Sequence, residues 1–105
     1  MGRMQRQKGA TYEREVANRL KTVFPDAKRG IGQTRSASEV PDVDGTPFWV
    51  ECKRGRMPNV RAAIRQAEAA TDGRPYLVVV RDDHGESFVT MKLDTLLEVV
   101  YKRNP

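Results

Sequence analysis

Two carboxylates and an amine lie within a short stretch of the chain, in a pattern that could cut a phosphodiester bond. Asp42 follows Pro41, and eight residues separate it from Glu51-Cys52-Lys53. Carboxylate oxygens are the ligands that Mg²⁺ and Mn²⁺ prefer, and a lysine can orient a water molecule or stabilise developing negative charge. The pattern therefore indicates metal-assisted hydrolysis, provided that the fold brings Asp42, Glu51 and Lys53 together.

A β-hairpin is the element that would bring these side chains together. Strands are predicted over Val40–Val43 and Phe48–Lys53, which are rich in β-branched and aromatic residues. The dipeptide Asp44-Gly45 between them is a favourable hairpin turn. Antiparallel pairing of the two strands would place Asp42 beside Glu51.

The second of these strands has two chemically different faces, because alternate side chains of a strand share a face. One face carries Trp49, Glu51 and Lys53. The opposite, apolar face carries Phe48, Val50 and Cys52. Cys52 is therefore expected to be a small core residue rather than a nucleophile.

The first helix supplies a third acid. Apolar residues at helical spacing predict a helix over Ala10–Phe24, whose buried face includes Val16 and Leu20. At about 100° per residue, Glu13 falls within about 60° of Val16. A carboxylate on the inner face of a helix needs a partner or a metal ion. Two alternatives stay open: Glu13 joins the Asp42 site, or it pairs with an arginine at the rim.

The rest of the chain alternates strands and helices. Asn59 is a favourable N-cap for the second helix, Asp94 is expected to cap the last helix, and the apolar run after Pro75 is typical of a strand covered on both faces. The fold class is therefore α/β, with a mixed central sheet flanked by helices. The further predicted elements are strands over Ala27–Arg29, Tyr76–Val80 and Ser87–Met91, and helices over Val60–Thr71 and Leu93–Val100.

Composition limits the class of protein. With 105 residues, 38% hydrophobic and 31% charged, the chain is expected to form one globular domain over residues 10–105 after a basic, flexible arm over 1–9. No apolar run resembles a membrane span or a signal peptide. One cysteine cannot form an internal disulfide, and with one histidine it cannot complete a structural zinc site. A cytoplasmic protein with no membrane partner and no small-molecule cofactor is expected.

The excess of positive charge favours an acidic partner. The net charge is +5 and the pI is about 9.7, as in many proteins that bind nucleic acids. A solvated basic surface without such a partner is the alternative. Aromatic residues among the basic ones are sparse, which argues against a stacking platform for single strands. The basic residues form three groups: Arg3, Arg6 and Lys8; Lys28, Arg29 and Arg35; and Lys53, Arg54, Arg56, Arg61 and Arg65.

Taken together, these residues resemble the PD-(D/E)XK nuclease superfamily. Pro41-Asp42 is similar to its first acidic element, and Glu51-Cys52-Lys53 is similar to its (D/E)-x-K element. The resemblance implies an αβββαβ core of the restriction-endonuclease type and Mg²⁺-dependent cleavage of DNA, with Mn²⁺ as a substitute. The metal ligands that it implies are Asp42, Glu51, the backbone carbonyl of Cys52, and Glu13 directly or through water.

A closer resemblance is to archaeal-type Holliday junction resolvases. It rests on Lys8–Glu15 at the first helix, on Arg35–Ser38 before the aspartate and on Gly73–Val80 at the last core strand. It implies an endonuclease for Holliday junctions or other branched DNA, acting in DNA recombination as a homodimer. The segment between the helix and the aspartate is longer than in that family, and the C-terminal part has no match. The residues that it implies for DNA binding are Arg35 or Arg29 at a phosphate, with Lys8, Arg54 and Arg56.

Other interpretations stay open. Gln66 on the second helix resembles the glutamine of the VRR-NUC branch of the same superfamily, which implies a flap or nicking nuclease. An ordinary surface glutamine fits the spacing better. The chain could also be a module that binds nucleic acid without cutting it, or a small structural or assembly protein whose charges only keep it in solution.

Overall fold

The computed structural model describes residues 2–30 and 39–102, with side chains from residue 9 onward. Its helices are α1 (Gly2–Leu20), α2 (Val60–Ala70) and α3 (Leu93–Thr95), and α3 continues into a π-helical segment, Leu96–Val100. Its strands are β1 (Lys28–Arg29), β2 (Val43–Asp44), β3 (Trp49–Gly55), β4 (Tyr76–Asp82) and β5 (Ser87–Thr90).

The five strands form one mixed sheet in the order β1-β2-β3-β4-β5. Strands β1, β2 and β3 are antiparallel neighbours, β3 and β4 run parallel, and β5 is antiparallel to β4. The parallel pair requires a crossover connection, which α2 provides. The predicted α/β class with a mixed sheet and flanking helices is therefore confirmed. In the β2–β3 hairpin, Val43 pairs with Val50, which brings Asp42 next to β3.

Helices cover both faces of the sheet. The buried residues divide into two clusters, and each cluster includes one long helix. Strands β3 and β4 contribute alternate residues to both clusters, as expected for central strands. The α1 cluster includes Tyr12, Val16, Val50, Cys52 and Val79. The α2 cluster includes Trp49, Ala63, Ala67, Tyr76 and Val78.

Helix α1 is longer at its start and shorter at its end than the sequence predicts. It begins at Gly2, so the backbone of residues 2–9, the stretch expected to be an arm, is helical. The arginine, glutamine, methionine and lysine residues there are all good helix formers. The helix ends at Leu20, because the Thr22 hydroxyl donates to the Arg19 carbonyl at 2.8 Å and a tight turn follows.

Strand β2 is shorter than predicted and lies later in the chain. It covers Val43–Asp44 instead of Val40–Val43. Pro41 has no backbone N–H to donate, so regular pairing starts after it. Gly30 permits this path, because a Cβ at that position would collide with the backbone carbonyl of Pro41.

Two local predictions are confirmed at the ends of elements. Gly45 begins the predicted turn with φ +80°, a left-handed conformation that glycine favours, and its N–H donates to the carboxylate of Asp44, which is itself the last residue of β2. Asn59 caps α2, since its side chain accepts from the Ala62 N–H at 3.0 Å. The turn and the cap therefore place β3 and α2 as the local sequence predicts.

The C-terminal helix is less regular than predicted. The prediction that Asp94 caps it is wrong, because Lys92 occupies the N-cap position and makes no side-chain capping bond. Asp94 lies in the first turn instead, where a negative charge is favourable near the helix N-terminus. Within the described part of the chain, no helix combines the length and apolar character needed to cross a membrane.

Candidate functional site

Strand β3 presents its side chains in the predicted alternation. Cys52 packs in the α1 cluster, and Trp49 packs in the α2 cluster. Glu51 lies on the Trp49 side, where the indole Nε1–H donates to Glu51 Oε1 at 2.9 Å. Glu51 is only 4% exposed, so its carboxylate lies among largely apolar groups and requires such partners.

Asp42 reaches β3 through a backbone contact. Its Oδ2 accepts the Cys52 N–H at 2.8 Å, and its own N–H donates to the Val50 carbonyl at 2.9 Å. The Asp42 carboxylate thus takes the place of a backbone carbonyl as the acceptor for the Cys52 N–H, just before β2 begins. This contact fixes the Asp42 carboxyl group within hydrogen-bonding reach of Glu51.

The Asp42 and Glu51 carboxyl groups share a mostly buried place. Burial, the largest cause, and the neighbouring Glu51 carboxylate raise the pKa of Asp42 from 3.8 to about 6, against the opposing effects of the Cys52 N–H and Lys53. Two carboxylates in such a place disfavour each other's ionised form. Asp42 therefore holds a proton more tightly than an isolated aspartate, and a divalent cation would relieve the same repulsion.

Lys53 belongs to the same group of charges. Its side chain is partly buried, and its ammonium lowers the pKa of both Asp42 and Glu13. Interactions of this kind require charges that lie close together. The structure thus places Lys53 on the Glu51 side of β3 and near Asp42, as the strand alternation predicts.

Glu13 reaches the edge of this group from α1. Its carboxylate accepts from Arg29 Nε at 2.8 Å, and its side chain is 20% exposed. Burial raises the pKa of Glu13, Arg29 lowers it, and the charge of Asp42 raises it again. Of the two alternatives for this acid, the structure therefore shows the pairing with a rim arginine, at a place where Glu13 still interacts with Asp42.

The structure brings two carboxylates together rather than three. Among the described residues, no three histidine, cysteine, aspartate or glutamate side chains are close enough to hold one metal ion. Glu51 points to the α2 side of the sheet, whereas Glu13 comes from α1 on the other side, and Asp42 interacts with both. The Asp42–Glu51 pair, with the Cys52 backbone carbonyl on the same strand, fits Mg²⁺ or Mn²⁺ because all of its donors are oxygen atoms.

Helix α1 is fixed against the sheet by polar contacts on both sides of Glu13. The Tyr12 hydroxyl and the Ser87 Oγ lie 2.8 Å apart, and Arg81 Nη1 donates to Glu15 Oε1 at 3.0 Å. Tyr12 is almost fully buried, so its hydroxyl needs this partner. Because Glu13 lies between Tyr12 and Glu15, these contacts also determine where its carboxylate lies.

Two of the arginines expected to bind DNA follow Lys53. Arg54 Nε is buried and lies 3.6 Å from Asp83 Oδ1, with no hydrogen-bond partner among the described residues. Arg56 is exposed directly after β3. Arg56 is thus available to a partner, whereas the Arg54 guanidinium is already directed toward an acid.

The other predicted DNA-binding residues are more dispersed. Arg29 is bound to Glu13, as described above. Gln66 is exposed on α2, which fits an ordinary surface glutamine. Arg35 and the side chain of Lys8 lie outside the described residues.

Two contacts beside the site go beyond the sequence prediction, which places Trp49 on the face of Glu51 and Lys53 without naming a bond between them. Trp49 supports Glu51, and the only signal for this is their i, i+2 spacing on one strand face. Arg74 lies with its guanidinium carbon 5.5 Å from the Trp49 ring centroid and donates to Asp44 Oδ1 at 3.1 Å. Arg74 also pairs with nearby Asp72 at 3.0 Å, but no local pattern predicts its contacts with Trp49 and Asp44, which are far away along the chain.

Comparisons of the chain with models of protein families, with curated proteins and with solved structures found no significant match.

Proposed function

We propose that this protein is a metal-dependent endodeoxyribonuclease of the PD-(D/E)XK type. The observation that carries the proposal is the Asp42 carboxylate, bound to the Cys52 N–H beside Glu51 and close to the charge of Lys53. A pair of carboxylates that binds a divalent cation beside a lysine ammonium is suited to phosphodiester hydrolysis. Glu51 is only 4% exposed, whereas a carboxylate whose sole role was to keep the protein in solution would be exposed to solvent.

The order of the elements supports the same proposal. The chain follows the order of an αβββαβ core, which here consists of α1, β1, β2, β3, α2 and β4. Strand β5 and helix α3 come after this core. In this arrangement the two acidic elements lie on neighbouring antiparallel segments, and α1 lies on the face opposite to α2. A restriction-endonuclease-like core is therefore the finer fold assignment that we propose.

In the proposed reaction, Asp42 and Glu51 would hold Mg²⁺ or Mn²⁺ together with the Cys52 carbonyl. The bound ion would neutralise charge on the scissile phosphate and lower the pKa of a water ligand. Lys53 orients the attacking water or stabilises negative charge on the phosphate oxygens. Glu13 holds Arg29 at the rim of the site, where the exposed part of the guanidinium can meet a neighbouring phosphate. Arg35 is the other candidate for that contact.

Branched DNA, such as a Holliday junction, is the substrate that we propose, and a homodimer is the assembly. Junction resolution requires two symmetric cuts, for which a C2 dimer is the natural arrangement. Phe88 and Val89 on the outer strand β5 are 68% and 51% exposed and lie on opposite faces of the sheet, so the edge strand itself is the apolar element that a second copy could cover. Light scattering at working concentration tests the assembly, and a monomer would favour flap or nicking activity instead.

The test of the enzyme compares wild type with Asp42→Ala and Lys53→Ala on labelled four-way, flap and linear DNA. We expect cleavage only with Mg²⁺ or Mn²⁺, and a loss of about 100-fold or more in both variants. Lys92→Ala is the matched control, because Lys92 lies beside Tyr76 at the far end of β4 and should leave cleavage unchanged. The proposal fails for these substrates if wild type cuts none of them with either metal.

A nucleic-acid-binding protein that does not cut is the second candidate. It is favoured by the Glu13–Arg29 ion pair, which engages the third acid, and by the lack of a three-acid cluster among the described residues. Salt-dependent DNA binding without cleavage would support this candidate. No binding at low salt would leave a structural or assembly role.

A further inference from the structure

Trp49 donates a hydrogen bond to the buried acid of the candidate site. Its Nε1 lies 2.9 Å from Glu51 Oε1, and the two residues are only 1% and 4% exposed. A buried indole N–H needs an acceptor, and a buried carboxylate needs donors, so each group satisfies the other. Because one of its two oxygens is bound to the indole, the Glu51 carboxylate has a fixed rotation.

The indole is itself held in position by the turn of the β2–β3 hairpin. The guanidinium of Arg74 lies 5.5 Å from the centroid of the Trp49 ring, a favourable cation–π distance. The same guanidinium donates to Asp44 Oδ1 at 3.1 Å and to the Thr46 carbonyl at 3.2 Å. The orientation of Glu51 is therefore linked to the hairpin turn through Arg74 and Trp49.

We propose that Trp49 is a positioning residue, which acts through Glu51 to prepare this carboxylate for a divalent cation. The inference rests on the proposed function, since Glu51 must be a metal ligand for Trp49 to have this effect. Hydrogen-bond donors that orient metal-binding side chains typically account for about 10- to 100-fold in metal affinity. Trp49→Phe keeps an aromatic ring in the α2 cluster and removes only the donor and part of the ring volume.

The first measurement uses the fact that Trp49 is the only tryptophan in the chain. Its indole N–H therefore gives a single signal in a proton–nitrogen correlation spectrum. Titration of the metal-free protein with Mg²⁺ should shift this signal saturably, with the dissociation constant that calorimetry gives. Glu51→Gln keeps the indole and should abolish the Mg²⁺-dependent shift, so the test remains valid even where Trp49→Phe does not fold.

The second measurement compares Mg²⁺ binding by calorimetry in two variants of the same cluster. Trp49→Phe should weaken binding about tenfold. Tyr76→Phe is the matched control, because it removes one hydroxyl that donates to Glu68 at 3.3 Å and should bind Mg²⁺ as wild type does. An equal loss in both variants would indicate a packing effect and overturn the inference.

The remaining outcomes separate this inference from the function on which it rests. Calorimetric binding with an indole signal that does not move, or with unchanged affinity in Trp49→Phe, would overturn the role of Trp49 alone. A wild-type protein that binds neither Mg²⁺ nor Mn²⁺ would overturn the proposed function and the inference with it. Saturable movement of the indole signal together with weaker binding in Trp49→Phe supports both.

Discussion

The acid pair at Asp42 and Glu51 is an unfavourable arrangement in the metal-free protein. Its immediate hydrogen-bond donors, the Cys52 N–H and the Trp49 indole, are uncharged. Neutral donors stabilise each carboxylate but do not cancel the repulsion between two of them, and Lys53 offsets it only in part. Electrostatic strain of this kind is concentrated at binding and catalytic sites, which is why the pair points to a cation rather than to stability.

Asp42→Asn should stabilise the metal-free protein at neutral pH. The folded pKa of Asp42, about 6, lies above its ordinary 3.8, so the folded state binds the proton more tightly and loses stability as pH rises through this range. An amide does not titrate. We therefore expect the advantage of the variant to grow by about 2 kcal/mol between about pH 3 and 7, a value reduced from about 3 kcal/mol for the partial exposure of Asp42. Urea denaturation in EDTA measures this difference, and an advantage independent of pH would contradict it.

Arg29→Gln should strengthen Mn²⁺ binding. The Arg29 guanidinium engages Glu13 at 2.8 Å and lowers its pKa, so the variant removes a positive charge and releases an acid near Asp42. We expect binding about threefold tighter, since interactions of a half-exposed charge are screened. Lys28→Gln is the matched control, because it removes the same charge from the other residue of β1, which acts on Asp44 instead. Equal changes in the two variants, measured by calorimetry, would show only a general effect of net charge.

Among the elements, the β2–β3 hairpin and its contact with β1 position the acid pair. The Gly30 N–H donates to the Asp42 carbonyl at 2.8 Å, and the Asp42 N–H donates to the Val50 carbonyl at 2.9 Å. The Asp42 backbone is therefore held from both sides, while its carboxylate is directed to the Cys52 N–H. A β2 of only two residues is sufficient to position Asp42, because the bond from its side chain to the Cys52 N–H extends the contact with β3 beyond the start of β2.

Gly45→Ala should destabilise the protein more than Gly73→Ala. Both glycines have positive φ, +80° and +107°, which costs an alanine about 1 kcal/mol. At Gly45 an added Cβ would also collide with the Asp26 carbonyl, whereas at Gly73 it would meet no atom within 4 Å. We expect the free energy of unfolding to fall by about 3 and about 1 kcal/mol respectively. Comparable losses in urea denaturation would mean that the Asp26 segment does not hold the hairpin turn.

The parts of the fold that could be predicted depend on neighbouring residues. Strand alternation placed Glu51 and Cys52 on opposite faces, and the Asp44-Gly45 dipeptide located the turn, since both follow from local geometry. The bounds of β2 could not be predicted in the same way. They depend on the close approach of Gly30 to Pro41, which is a contact between separate segments.

The same limit applies to the candidate site. The acids Asp42 and Glu51 could be paired from the hairpin pattern, because the turn fixes their relative positions. The partner of Glu13 is 16 residues away at Arg29, and Arg74 reaches Asp44 over 30 residues. Contacts at such separations depend on how α1 and the loop before β4 dock on the sheet, which residue spacing alone does not determine.

On the scale of the whole molecule, the basic residues near the acid pair lie toward one end of the sheet, the end at which β3 finishes. Lys53 and Arg54 continue along β3 beyond Glu51, Arg56 follows directly after the strand, and Arg61 and Arg65 are exposed on α2. Because Glu51 also points to the α2 side, this end of the sheet combines the acid pair with positive charge. A DNA backbone attracted to that end would lie beside the residues proposed to cut it.

Arg56→Gln should therefore change the salt dependence of DNA binding, and Lys92→Gln should not. Arg56 is exposed directly after β3, whereas Lys92 lies beside Tyr76 at the other end of the sheet. Loss of one phosphate contact reduces the slope of log K against log salt concentration by about 1. Anisotropy of a labelled four-way junction in EDTA, from about 50 to 200 mM NaCl, measures these slopes. Equal slopes in the two variants would show that only the overall charge attracts DNA, whereas a smaller slope in Arg56→Gln alone would place the DNA backbone at the end of β3 that follows Glu51, the side of the sheet from which the proposed cleavage requires it to approach.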